Sequence, residues 1–299
     1  MIFVICGQTA SGKSSLALEF AKKINGIIVN ADAFQVYKEL NIGTAKPSLD
    51  ERKEVPHLLY DICSVKDNYD VKRYQDDARK VIDENSDKPL VFVGGTGLYI
   101  RSTFFDYEFN ESPKVDLSKF DSFTNEELHD YLAKIDKESA EKFHPNNRRR
   151  VLRAIEIYLS TGETKSNLEK KQQHHIIYDD IVFVAVELDS KVLNERINDR
   201  VDKMFQKGLQ AEIAELLLQY PSNLQAFSAI GYKEIMQNQD LSEDELKDLI
   251  KLRTRQYAKR QKTFFKHQLP VTWFNSNEEA LTYLLGKYEE FTNGKTRTL

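Results

Sequence analysis

Eight residues carry the most specific chemistry in the chain: Gly7-Gln8-Thr9-Ala10-Ser11-Gly12-Lys13-Ser14. They fit G-x-x-x-x-G-K-[ST] at every fixed position, after the apolar run 2–5 and at the start of the apolar-striped segment 14–24. Glycines let such a loop wrap tightly, so that successive backbone N–H groups point inward, and the following helix adds partial positive charge at its N-terminus. Lys13 supplies a mobile cation for terminal phosphates, and the Ser14 hydroxyl a ligand for Mg²⁺. The pattern predicts a diphosphate or triphosphate site without saying which.

A nucleoside-triphosphate hydrolase also needs an apolar strand ending in Asp, which holds the Mg²⁺ water shell. The best such run, 90–93, ends instead in Gly94-Gly95-Thr96-Gly97. That argues against a motor or switch ATPase. The run 27–29 leads into Asn30-Ala31-Asp32. If these runs are parallel strands, Asp32 shares an edge with the phosphate loop. A carboxylate beside an anion is unfavourable unless it accepts a proton or holds Mg²⁺ through water. Its bland alternative is the N-cap of a following helix.

Two basic clusters stand out. Arg148, Arg149, Arg150 and Arg153 crowd the start of a helix predicted over 147–160, where a solvated face with local pairs, for example to Glu156, is the ordinary outcome. Between Lys251 and His267 there are seven Lys or Arg residues and no acid. Of these, Arg255, Lys259, Lys262 and Lys266 fall on one helical face. Complementing the helix dipole explains only the last turn, so the stripe predicts a polyanionic partner. Tyr257, Phe264 and Phe265, interleaved at helical spacing, read as core.

The elements that must position these groups follow from apolar patterning. Runs 2–5, 27–29, 90–93, 181–188 and 271–274, with 58–62 as a weaker sixth, read as strands buried on both faces of a parallel sheet. Helical stripes lie between them, so the expected fold is α/β, a phosphate-loop NTPase-like parallel-sheet core. From 124 to 173 there is helix and loop but no strand run, opening with a Thr124…Glu127 capping box. The predicted organisation is a core of 1–110 and 178–299 carrying a helical insertion, 111–177. Ser190 is the expected N-cap of a later helix. A charge of −4 over 299 residues excludes a uniformly basic coat protein, and two cysteines exclude a disulfide framework or a four-cysteine zinc site. With no apolar run near ~18 residues and no secretory leader pattern, the expectation is a cytoplasmic protein with no membrane partner.

Taken together, GQTASGKS at 7–14, NADAFQVYKELNIGTAKP at 30–47, VGGTGLYIRS at 93–102, RRRVLRAIEIY at 148–158, ERINDRVDKMFQKGL at 195–209, AIGYKE at 229–234 and TRQYAKRQ at 254–261 closely resemble the tRNA dimethylallyltransferase family over nearly the whole chain. The resemblance implies that loop 7–14 holds the diphosphate of dimethylallyl diphosphate, with Mg²⁺ on Ser14, and that the insertion helps a monomer grip the anticodon stem-loop. It also implies that Asp32 deprotonates the exocyclic amine of the adenosine 3′ to the anticodon. Lys13 and Thr96 complete the implied catalytic set, with Thr96 lining the reaction channel. Ala33, Phe34, Gln35, Arg149, Arg150, Arg153, Arg255 and Lys259 fall at implied tRNA contacts. Gln8 replaces a usual Pro, Ala33 and Phe34 replace a Ser and a basic or Met residue, and Phe264 replaces a Trp. Two other classes share the loop. A small-molecule or nucleotide kinase leaves the basic helix unexplained, and an RNA-binding GTPase-like module needs an N-K-x-D guanine reader that the sequence lacks.

Overall fold

The computed structural model describes residues 1–109, 115–171 and 175–296. Six strands, β1 (Ile2–Cys6), β2 (Ile27–Asn30), β3 (His57–Leu58), β4 (Leu90–Gly94), β5 (Ile181–Val186) and β6 (Thr272–Phe274), form one sheet. Its order is β3-β2-β4-β1-β5-β6, and every pairing is parallel.

The register explains the unbroken apolar runs. Phe3 sits opposite Val91 and Val182, and Ile5 opposite Val93 and Val184. These side chains cluster with Leu16 and Phe20 of the helix Lys13–Ile24 and with Ala280 and Leu284 of the helix Asn277–Thr296. The alternate row, Val4, Phe92 and Phe183, is also buried. There Phe104, from the helix Gly97–Phe104, meets Phe92 and Phe183 edge to face. A strand covered on both faces has no polar alternation to show. Each such side chain contributes about 1.5–3 kcal/mol by leaving water.

Three expectations need correction. The strand predicted over 58–62 stops at Leu58, because Leu59 and Asp61 take left-handed backbone angles (φ 61° and 55°) that turn the chain out of the sheet. The helix Ser190–Gln206 is capped by Asp189, not Ser190; the Asp189 carboxylate accepts the N–H of Lys191 and Val192, where a negative group also meets the positive helix end. The strand predicted over 181–188 ends at Val186, before the charged Glu187.

The chain divides into two compact units, Met1–Phe104 with Tyr178–Leu299, and Phe105–Ile177. The predicted edge at 110–111 lies outside the described residues. In the smaller unit the helices Asn125–Ile135, Lys137–Lys142, Arg148–Thr161 and Lys165–Lys171 surround Phe120, Leu128, Leu132, Val151 and Ile155. The Thr124 capping box forms. Arg148 donates to the carbonyls of Phe120 (2.8 Å) and Phe123 (2.6 Å), so this arginine braces the unit. No described helix is long and apolar enough to cross a membrane.

Candidate active site at the carboxyl edge of the sheet

Sheet register brings the motif-bearing loops to one edge. Cys6 lies opposite Gly94 and Ala185, and Asn30 opposite Val93, so β1, β2, β4 and β5 end nearly level. Gly7, Asp32, Gly95 and Glu187 follow within two residues of those ends. In open parallel sheets this is where ligands bind. Burial pushes the pKa of the Cys6 thiol up to about 12, which keeps it protonated at neutral pH.

The loop after β1 presents open donors. Gly12 occupies the N-cap position at φ 93°, a conformation glycine takes without Cβ strain. Among the described residues no partner engages the N–H groups of Ala10, Gly12, Lys13 or Ser14, and the buried Ser11 hydroxyl is also unpartnered. Such a concavity of N–H groups at a helix start is an anion site. Lys13 donates its Nζ to the Gln8 carbonyl. Burial, and then the nearby Arg200, push its pKa down to about 8, against the opposing pull of Asp32. Two cations close enough to repel each other, with the Asp32 carboxylate opposing that repulsion, suit a ligand that brings further negative charge.

Ser14 is exposed, and nothing described engages its hydroxyl. No group of three or more His, Cys, Asp or Glu residues able to hold a metal occurs among the described residues. Ser14 is the one protein residue here that would hold a divalent ion, and a hydroxyl oxygen is a donor that suits Mg²⁺.

Asp32 is not a helix cap. After β2 the chain turns through 31–48 with no helix before Leu49–Glu54. Instead Asp32 Oδ1 accepts the Phe34 N–H at 3.0 Å, while Oδ2 has no hydrogen-bond partner among the described residues. Asp32 acts electrostatically on Lys13, on Arg200 and on the hydroxyls of Tyr60, Tyr74, Tyr99 and Tyr257. Thr96 braces it from behind: its Oγ1 accepts the Ala33 N–H at 3.0 Å, and its N–H donates to the Ala31 carbonyl at 3.2 Å. Gln35 donates its Nε2 to the Thr44 carbonyl at 2.9 Å, holding its own loop closed. Ala33 and Phe34 are half-buried between them.

The basic stripe of the helix Glu243–Gln268 is not uniform. Lys262 and Lys266 both pair with Glu187, holding that carboxyl below its usual range, and Lys251 pairs with Asp202 at 2.7 Å. Arg255 donates to Asn198 Oδ1 at 2.9 Å. Exposed charge remains on Arg253, Lys259 and Arg260. Of the interleaved aromatics only Phe265 is core: it is fully buried, whereas Phe264 and Tyr257 are half-buried, the Tyr257 hydroxyl pointing to the Gly95 carbonyl at the site. On the insertion Arg153 pairs with Glu156 at 2.6 Å, while Arg149 and Arg150 are exposed.

Arg200 is the site residue that motif reading missed. Burial pushes its pKa down while Asp32 pulls it up, and it donates to the Thr44 carbonyl at 3.3 Å. The signal was available. Leu193, Ile197, Val201 and Met204 form the buried stripe of their helix, and Arg200 falls inside it. A cation within an apolar stripe needs an anion or a carbonyl to face.

Known proteins resemble this chain over nearly its whole length. Residues 35–268 match the family described as IPP transferase. A tRNA dimethylallyltransferase of Staphylococcus haemolyticus (strain JCSC1435) is 42% identical over 297 residues, 95% of this chain and 89% of the relative. One of Staphylococcus aureus (strain JH9) is 43% identical over 299 residues, 95% of each. The crystal structure of a tRNA isopentenylpyrophosphate transferase from Bacillus halodurans superposes with TM-score 0.73 at 33% identity, covering 99% of each chain. That of a eukaryotic dimethylallyltransferase acting on tRNA gives 0.79 at 28% identity, over 94% of this chain and 77% of the other. The chain belongs to the tRNA dimethylallyltransferase family of prenyl transferases.

Proposed function

We propose that this transferase moves the dimethylallyl group of dimethylallyl diphosphate to the exocyclic amine of the adenosine 3′ to the anticodon of tRNA, acting as a monomer. One observation carries the reading. A cradle of open amides with Lys13 and Arg200 shares a sheet edge with a carboxylate whose second oxygen is free. A leaving diphosphate and a departing proton need those two groups.

The amine lone pair forms the new C–N bond as the allylic C–O bond breaks and its electrons leave on diphosphate. The loop amides, Lys13 and Arg200 stabilise that developing negative charge. Asp32 Oδ2 takes the amine proton. An adenine reaches this position only by leaving its stack. The Ser14 hydroxyl would hold Mg²⁺, which would supply further charge neutralisation at the diphosphate. Arg149 and Arg150 on the insertion, and Lys259 on the basic helix, are assigned to tRNA phosphates.

Prenyl-labelled dimethylallyl diphosphate with tRNA, run beside ATP with tRNA, tests the reading against a kinase. Label on tRNA with no tRNA-stimulated ATP hydrolysis is expected; the reverse contradicts it. The ion pairs sharpen a second expectation. Lys259→Ala should flatten the salt dependence of tRNA affinity by about 0.7–0.9 in the log–log slope per lost phosphate contact. Lys262→Ala, which removes a partner of Glu187, should leave that slope unchanged. A Lys259→Ala slope equal to that of the wild type would show that Lys259 does not face tRNA.

A further inference from the structure

We propose that Gln261 is the positioning residue that holds the diphosphate loop and the Asp32 loop in one geometry, an inference that rests on the prenyl-transfer reading above. Gln261 is 5% exposed. Oε1 accepts the Thr9 N–H of the phosphate loop at 2.8 Å, and Nε2 donates to the Gly95 carbonyl at 2.9 Å. The next residue, Thr96, bonds through its N–H to the Ala31 carbonyl and through its Oγ1 to the Ala33 N–H. Ala31 and Ala33 flank Asp32. Hydrogen bonds joined by the single Gly95–Thr96 peptide therefore link the leaving-group cradle, through one side chain, to the backbone on both sides of the base.

Three features support this role. Thr9 lies outside the set of open amides, so its bond to Gln261 takes no donor from the diphosphate. The loop is fastened to the same helix a second time, where Gln8 Nε2 donates to the Ala258 carbonyl at 3.2 Å. Gly95 also makes room for the contact: a Cβ there would lie 2.1 Å from Gln261 Nε2. The bridge needs one acceptor and one donor at a fixed separation, which a carboxamide offers. A carboxylate keeps the bond to Thr9 but sets a charged oxygen against the Gly95 carbonyl. The chemistry makes this coupling consequential. Bond breaking at diphosphate and proton removal at the amine occur at opposite ends of one displacement, and a misplacement of about 1 Å can lower the rate about 10²-fold.

The test uses Gln261→Ala, Gln261→Glu and Gly95→Ala in single-turnover reactions with saturating tRNA and dimethylallyl diphosphate. Dissociation constants for dimethylallyl diphosphate are measured alongside, at a temperature where far-UV circular dichroism matches wild type. Gln261→Ala and Gly95→Ala are expected to lower the maximal rate by roughly 10–100-fold, with diphosphate affinity little changed. Gln261→Glu should be as slow at pH 8 but recover, relative to wild type at the same pH, as pH falls towards 6. Burial raises its carboxyl pKa, and the protonated acid again offers both a donor and an acceptor. Wild-type rates in the variants, a loss confined to diphosphate affinity, or a Gln261→Glu deficit independent of pH would overturn the proposal. If Gln261→Ala does not fold, Gly95→Ala, which displaces only a side-chain end, decides. Wild-type enzyme that leaves tRNA unlabelled would instead refute the functional reading itself.

Discussion

Asp32→Asn is expected to lower the single-turnover rate of prenyl transfer by about 10²–10⁴-fold, the range typical of a positioned general base. Binding of both substrates should change little, because the amide keeps an oxygen for the Phe34 N–H and so keeps the turn that aims the side chain. Running the assay at saturating tRNA and dimethylallyl diphosphate, at two Mg²⁺ concentrations, separates two roles. A loss that persists at high Mg²⁺ marks proton acceptance; partial rescue by Mg²⁺ marks a metal partner. A near wild-type rate at both concentrations would eliminate the base assignment.

Lys13→Met should be nearly as severe, losing about 10²–10³-fold in turnover, as expected for one donor to a developing oxyanion, and weakening dimethylallyl diphosphate binding. The loss should not come from unfolding. Burial and Arg200 hold the pKa of Lys13 near 8, below the ordinary 10.5. Between those values the unfolded chain binds more protons than the folded one, so stability rises with pH across that window. Below pH 8 the charged ammonium therefore destabilises the ligand-free fold in full. At pH 7 the Met variant should melt at or above the wild-type temperature, with the gap narrowing above pH 8. In the wild type, dimethylallyl diphosphate affinity should fall as pH rises past about 8 and the cation is lost. A Met variant that melts well below wild type at pH 7 would contradict this account of Lys13.

The parts of the site that are contiguous in sequence were legible there. The phosphate loop is a local geometry, and its residue types report it directly. Strands buried on both faces reveal themselves as unbroken runs of Val, Ile and Phe, and parallel pairing then puts Asp32 on the edge with the loop. The rest depends on contacts between distant segments. The cations at 262 and 266 read as a free basic stripe because Glu187, which pairs with both, lies on another element. Gln261 bridges Thr9 and Gly95, and no spacing rule within its helix could show that. Arg200 is the intermediate case: its place in an apolar stripe marked it as unusual, but only the packing of helix Ser190–Gln206 against the site shows that it faces Asp32 and Lys13.

The most direct measurement is mass analysis of tRNA fragments after incubation with the protein, Mg²⁺ and dimethylallyl diphosphate. The account predicts a mass gain of one dimethylallyl group on the adenosine 3′ to the anticodon, with release of diphosphate. Unmodified tRNA, or a gain on any other nucleotide, would contradict it.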